Sequence, residues 1–141
     1  MQYSSDVVVA VEPARVYPYV ADLARNVEWM PMVHDVEPAG DGVWNVELRA
    51  KVGVFARSKR LRMKRTVNTS QHIVFERDEI DGKRHSPWTM AIALQPTDAG
   101  SVVTVDLSYG GTLWTAGILD RVLAAQVEAG KTGLARVVHG A

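Results

Sequence analysis

From Val33 to Tyr109 the sequence is cut into short segments by turn chemistry: "AGDG" (Ala39 to Gly42), "VGVF" (Val52 to Phe55), "NTS" (Asn68 to Ser70), "DG" (Asp81, Gly82) and "DAG" (Asp98 to Gly100). Between these signals apolar and polar residues alternate, the period of a strand with one buried face. Turns at this spacing predict six successive strands joined as hairpins. The flanking segments narrow the choice of fold.

Ahead of the hairpins, the β-branched run "DVVVAV" within residues 2 to 12 predicts a strand, and "EPAR" places Pro13 in the first turn of a helix. In "PARVYPYVADLARNVEWMP", Val16, Val20 and Leu23 recur at helical spacing. Pro18 has no N–H for a helix interior, so the segment is expected to bend or divide there into two short helices. After "YGGT", the residues Leu119, Val122, Leu123, Val127, Leu134, Val137 and Val138 form an apolar stripe opposite Asp120, Arg121, Glu128, Lys131 and Arg136. That pattern predicts a long amphipathic C-terminal helix. Gly117, Gly130 and Gly133 each cost about 1 kcal/mol in a helix interior, so any within it serve close packing or a bend.

Hairpin turns also set register, because paired residues on antiparallel strands share a face. A two-residue turn at Asp81 and Gly82 sets Phe75 opposite Trp88 and Ile73 opposite Met90. The turn near Asp98 sets Met90 opposite Leu107 and Trp88 opposite Tyr109. Carried back through the earlier turns, the same reasoning pairs Met63 with Phe75, Val46 with Met63, Leu48 with Leu61, Val36 with Val46 and His34 with Leu48. One face of the sheet is then apolar nearly throughout. The other face carries Arg60, Arg62 and Lys64, with Glu76 expected opposite Arg62 and Asp78 opposite Arg60.

This bears on the segment Ala56 to Thr66, which holds six of the sixteen Lys and Arg residues. A run of that density can read as a nucleic-acid patch. However, Lys plus Arg equals Asp plus Glu, so the chain has no overall positive field to draw a phosphate backbone. A solvated face paired with carboxylates is expected, and no nucleic-acid partner. Arg65 and Arg77 differ, because the register sends both to the apolar face. Each then needs a carboxylate (Glu79 or Asp35), water, the rim of a cavity or a ligand.

The 141 residues, 47% of them apolar and 23% charged, suit a single domain spanning 1–141 with one core. The absence of cysteine excludes disulfides, thiolate metal sites and thiol nucleophiles. The N-terminal "MQYSSDVVVAVEP" has no basic region, and its apolar run stops at Glu12. Neither a signal peptide nor stable membrane insertion is expected, and a cytoplasmic location is the default.

A strand, two short helices, six antiparallel strands and a long final helix is the element order of the α+β helix-grip fold. Three stretches resemble the START-like (SRPBCC) superfamily, which contains polyketide cyclases, lipid-transfer proteins and plant pathogenesis-related allergens: "VVVAVEPARVYPYVADLARNVEWMPMV", "LQPTDAGSVVTVDLSYGG" and "GILDRVLAAQVEAGKTGLARVV". The resemblance implies a seven-stranded antiparallel sheet wrapped around the C-terminal helix, enclosing an apolar cavity for a small or medium hydrophobic molecule such as a lipid or polyketide. A cavity of roughly 300 to 1,000 Å³ is the usual size for such pockets. Its expected wall is Trp44, Val46, Leu48, Leu61, Met63, Phe75, Trp88, Met90, Leu107 and Tyr109, with Leu119 and Leu123 from the helix and Trp29 near the mouth. Arg65 or Arg77 would face an anionic or carbonyl group of the ligand.

Two alternatives stand beside a binding protein. A cyclase or dehydratase would need groups able to stabilise a developing enolate, and the candidates are Arg65, Arg77, Tyr109 and His34. An adaptor or chaperone of a lipophilic cofactor would need an exposed apolar patch. The four histidines show no HxxxH or HxH pairing, so no metal is expected. No GxGxxG, GxxxxGK[ST] or GxSxG motif occurs, and no cofactor is implied.

Overall fold

A computed structural model describes residues 2–52, 55–110 and 116–140, with side chains for all of these except residues 50–52, 55–57, 116–120 and 122–123. The elements run β1 (Gln2–Val9), α1 (Pro13–Ala21), α2 (Leu23–Asn26), β2 (Val33–Gly40), β3 (Val43–Val52), β4 (Phe55–Asn68), β5 (His72–Arg77), β6 (Trp88–Thr97), β7 (Gly100–Tyr109) and α3 (Ala116–His139). The strands form one seven-stranded antiparallel sheet in the order β1-β7-β6-β5-β4-β3-β2, so only the β1–β7 pairing departs from a run of neighbours in sequence. α3 packs against β1, β3 and α1. This is the helix-grip α+β arrangement expected from the element order. Among the described residues no helix is long and apolar enough to cross a membrane.

The two short helices are divided at Asp22 and not at Pro18. α1 runs through Pro18 and buries Val16 and Val20 on one face. Proline there removes one intrahelical hydrogen bond from a nine-residue helix, which still buries Val16, Val20 and Ala21. Asp22 has extended backbone angles, and its carboxylate accepts from the Ala24 N–H at 2.9 Å, which caps α2.

The inward and outward faces of the sheet fall as expected, but several pairings move by two residues. Phe75 pairs with Met90 and Ile73 with Ile92, because ten residues, 78–87, connect β5 and β6 in place of a two-residue turn at Asp81 and Gly82. Met63 pairs with Arg77, and Arg65 takes the place opposite Phe75. Val46 pairs with Leu61, Trp44 with Met63 and Leu48 with Lys59, because Val52 pairs directly with Phe55. The pairings of Val36 with Val46, Met90 with Leu107 and Trp88 with Tyr109 are as expected. A shift of two leaves each side chain on its original face. His34 is the exception. A bulge between Val33 and Asp35 puts Val33 opposite Leu48, so Val33 is buried and His34 is exposed.

On the outer face the charges pair, with different partners from those expected. Lys64 stands opposite Glu76. Arg62 Nη1 reaches Asp78 at 3.3 Å, and Arg60 lies 3.9 Å from Glu47.

Two glycines of α3 meet the same residue in different ways. A Cβ added at Gly133 would overlap the Trp29 carbonyl oxygen and sit 3.0 Å from its carbonyl carbon, whereas one at Gly130 would rest 3.9 Å from the Trp29 ring. Gly133 therefore serves close packing. Gly117 lies outside the described side chains. Gly133→Ala should lower stability by about 1 to 3 kcal/mol through overpacking against backbone. Gly130→Ala should raise it by up to about 1 kcal/mol through helix propensity. Urea unfolding of the two variants checks the contrast, and equal effects would contradict it.

Candidate functional site

The inner face of the sheet does not close completely against α3. Between them lies a hollow with β1 and β7 on one side, β3, β4 and β6 below, and α2 with residues 29–33 at one end. Its inner void is about 90 Å³, and the whole hollow, counted out into its open mouth, is about 910 Å³. The expected cavity of 300 to 1,000 Å³ is thus corrected to a narrow void below a wide mouth. The cause is that bulky residues of the expected wall fill space instead of lining it.

Of those residues, Trp29, Val46, Leu48, Leu61 and Met63 line the hollow, as do Trp88, Met90 and Leu107. Trp44 and Phe75 do not; they pack edge to face with ring centroids 5.8 Å apart inside the core. Tyr109 stacks on Trp88 at 5.1 Å and stands outside the lining. The side chains of Leu119 and Leu123 lie outside the described residues.

Neither inward arginine points into the hollow. Arg65 donates to the carbonyl of Ala21 at 2.7 Å, at the end of α1, with its guanidinium 5.6 Å above the Trp44 ring. It satisfies a helix-terminal carbonyl and gains a favourable ring contact. Arg77, with a side chain only 8% exposed, is bound on several sides. Its Nε donates to Glu79 at 2.9 Å, its Nη1 to the Ser86 carbonyl at 3.2 Å, and its Nη2 faces His85 Nδ1 at 3.2 Å. Because a guanidinium only donates, His85 Nδ1 accepts, and the ring proton sits on Nε2 toward Asp81 at 2.8 Å. Arg77 thereby holds the long 78–87 connection to the sheet. Of the four candidate catalytic residues, Arg65, Arg77, Tyr109 and His34, none lines the hollow.

The electrostatics around Arg77 follow from this geometry. Burial pushes the Glu79 carboxyl up, but the Arg62 backbone N–H at 3.0 Å and the Arg77 guanidinium outweigh it, leaving Glu79 below its ordinary value. Asp81 is lowered as well, by the Lys83 N–H at 2.9 Å and by His85. Burial, reinforced by the charge of Arg77, lowers Lys59 below the usual lysine value. Glu79, Asp81 and His85 bring three ligand-type atoms within 4.8 Å of one another. Glu79 and His85 are already engaged by Arg77, and that guanidinium supplies the positive charge a metal ion would bring.

Further lining residues lie outside the expected wall. Asn26, Met30 and Met32 come from α2 and the segment after it, Ser5, Val7 and Val105 from β1 and β7, and Gln126, Val127 and Lys131 from α3. The signal for two of them was helical. Asn26 follows Leu23 by three residues, and Gln126 precedes Gly130 by four, so each falls on its helix's buried face.

Glu79→Gln should destabilise the protein by about 1 to 3 kcal/mol at neutral pH, because it leaves Arg77 without its anion. A carboxyl held below its ordinary value adds stability above the unfolded value and loses it as pH falls through the folded one. The gap between parent and variant should therefore narrow on acidification. Denaturant unfolding at pH 7 and pH 3 measures it, and a gap independent of pH would contradict the pairing.

The family model described as polyketide cyclase / dehydrase and lipid transport matches residues 1–139. Comparison with curated proteins found no match. Among solved structures, a conserved protein from Geobacillus kaustophilus is similar with a TM-score of 0.79 at 12% identity, covering 99% of this chain and 96% of that one. A START superfamily protein from Mycobacterium smegmatis is similar with a TM-score of 0.78 at 13% identity, covering 99% and 97%. Zhui aromatase/cyclase from Streptomyces sp. R1128 gives a TM-score of 0.68 at 18% identity, covering 99% and 93%. At these identities the structural likeness concerns the fold.

Proposed function

Because the chain belongs to the polyketide cyclase / dehydrase and lipid transport family, we propose that it binds a small apolar molecule in the hollow between the sheet and α3. One observation carries this reading: the hollow is walled by apolar side chains from the sheet, α2 and α3, and opens to solvent. Four of the five methionines, Met30, Met32, Met63 and Met90, line it. Their unbranched, polarizable side chains can re-pack around an incoming ligand, so a void narrower than the roughly 150 Å³ that takes benzene can widen.

Binding is favoured over catalysis by the character of the wall. A cyclase or dehydratase needs a group that can move a proton at the reacting atom. Among the described residues, Lys131 is the titratable side chain of the lining, and its ammonium lies 3.5 Å from Glu128 on the exposed side of α3. An adaptor needs a contiguous apolar surface, whereas among the described residues the exposed large apolar side chains Val8, Val27, Val67 and Ile80 sit on four separate segments.

Val105→Phe should place a ring in the hollow and abolish saturable binding of p-xylene, with the melting temperature kept within a few degrees. Calorimetric titration of parent and variant tests this. Binding that survives the substitution unchanged would place the ligand elsewhere.

A further inference from the structure

Among the described residues, four buried side-chain polar atoms have no hydrogen-bond partner: Asn26 Nδ2 and Oδ1, Trp88 Nε1 and Gln126 Oε1. All three residues line the same hollow. Asn26 is completely buried and Trp88 is 5% exposed, so bulk water does not reach them freely. Trp29, in the same wall, shows the ordinary outcome, since its indole N–H donates to the Tyr19 carbonyl at 2.9 Å. Buried polar groups are nearly always paired, because an unpaired one forfeits its hydration without return. Because the three residues share one wall, a molecule that widens the hollow can bring a polar group to these atoms.

Their chemistry defines that molecule. Asn26 offers one donor and one acceptor whichever way its amide is turned, Trp88 offers a donor and Gln126 an acceptor. A hydroxyl both donates and accepts, so it matches Asn26 alone and leaves its oxygen open to Trp88. An anion matches poorly. Arg65 is held by Ala21 and Arg77 by Glu79, and Lys131 is drawn to Glu128. A carboxylate in the hollow would lose its hydration and meet, among the described residues, no cation that lacks a carboxylate or carbonyl partner. This replaces the expectation of an anionic or carbonyl group facing Arg65 or Arg77.

We propose that Asn26 and Trp88, with Gln126, select an uncharged, hydroxyl-bearing apolar ligand over its methyl and carboxylate analogues. The proposal rests on the reading of the hollow as a ligand site. Three probes of matched shape test it: p-cresol, p-xylene and p-toluate, titrated calorimetrically into the parent and into Asn26→Leu and Trp88→Phe. Leucine keeps the volume of asparagine, and phenylalanine keeps an aromatic ring without the N–H.

The expected result is that p-cresol loses about tenfold in affinity in Asn26→Leu and several-fold in Trp88→Phe. The p-xylene affinity stays level or rises in both, and p-toluate binds the parent more weakly than p-cresol. Asn26→Leu should also melt higher than the parent in the absence of ligand. Equal losses of p-cresol and p-xylene affinity in both variants would overturn the proposal. So would p-toluate binding as tightly as p-cresol, or a crystal structure of the p-cresol complex in which a water molecule keeps Asn26 and Trp88 for itself. If p-xylene binds and this selectivity is absent, the hollow remains a ligand site of another preference and the proposal is overturned alone. If none of the probes binds the parent, the reading of the hollow fails and the proposal fails with it.

Discussion

The close approach of α3 to the backbone of Trp29, possible only because residue 133 is glycine, is the contact on which the rest of the structure depends. It joins the segment after α2 to the last helix at one point. The Trp29 ring then lies beside Gly130, and its N–H is tied to the end of α1. With the helix held at this point, Leu134 and Val138 are buried in the common core. The space left nearer the middle of the helix is the hollow, bounded by Gln126, Val127 and Gly130. A bulkier residue at 133 would push apart the surfaces that enclose it.

A second constraint is the disposal of charge on the inner face. Two arginines pointing inward would be untenable in an apolar core without compensation. Each is used to secure chain that the sheet does not hold: Arg65 the end of α1, and Arg77 the ten residues between β5 and β6. With the cations so occupied, the wall of the hollow is neutral apart from Lys131 among the described residues, and these offer apolar contact and neutral hydrogen bonds. The same sheet and helix occur in an aromatase/cyclase, while in this chain Arg65, Arg77, Tyr109 and His34 all stand away from the hollow.

Much of this was legible in the sequence because strand periodicity is robust. Turn positions misjudged by a residue moved several pairings by two, and a period of two returns every side chain to the same face. Met63, Leu61, Trp88 and Met90 were thus placed correctly on the inner face from partly incorrect partners. A bulge breaks that protection, which is why His34 was assigned inward and faces outward. The size of the hollow was less legible, since Phe75 and Trp44 have the same period as true lining residues and only packing separates the two. Asn26 and Gln126 are amides at inward helical positions, where the apolar pattern that marks a helix's inner face carries no signal for them.

The central claim is that a small apolar molecule enters between the sheet and α3. The most direct measurement follows the methionine methyl resonances of ¹³C-methyl-labelled protein as p-xylene is added. Met30, Met32, Met63 and Met90 approach the hollow from the segment between α2 and β2 and from two separate strands, so they report from several sides of it. Saturable shifts of all four with one common dissociation constant are the predicted result. Saturable binding that leaves these four resonances unmoved would contradict it.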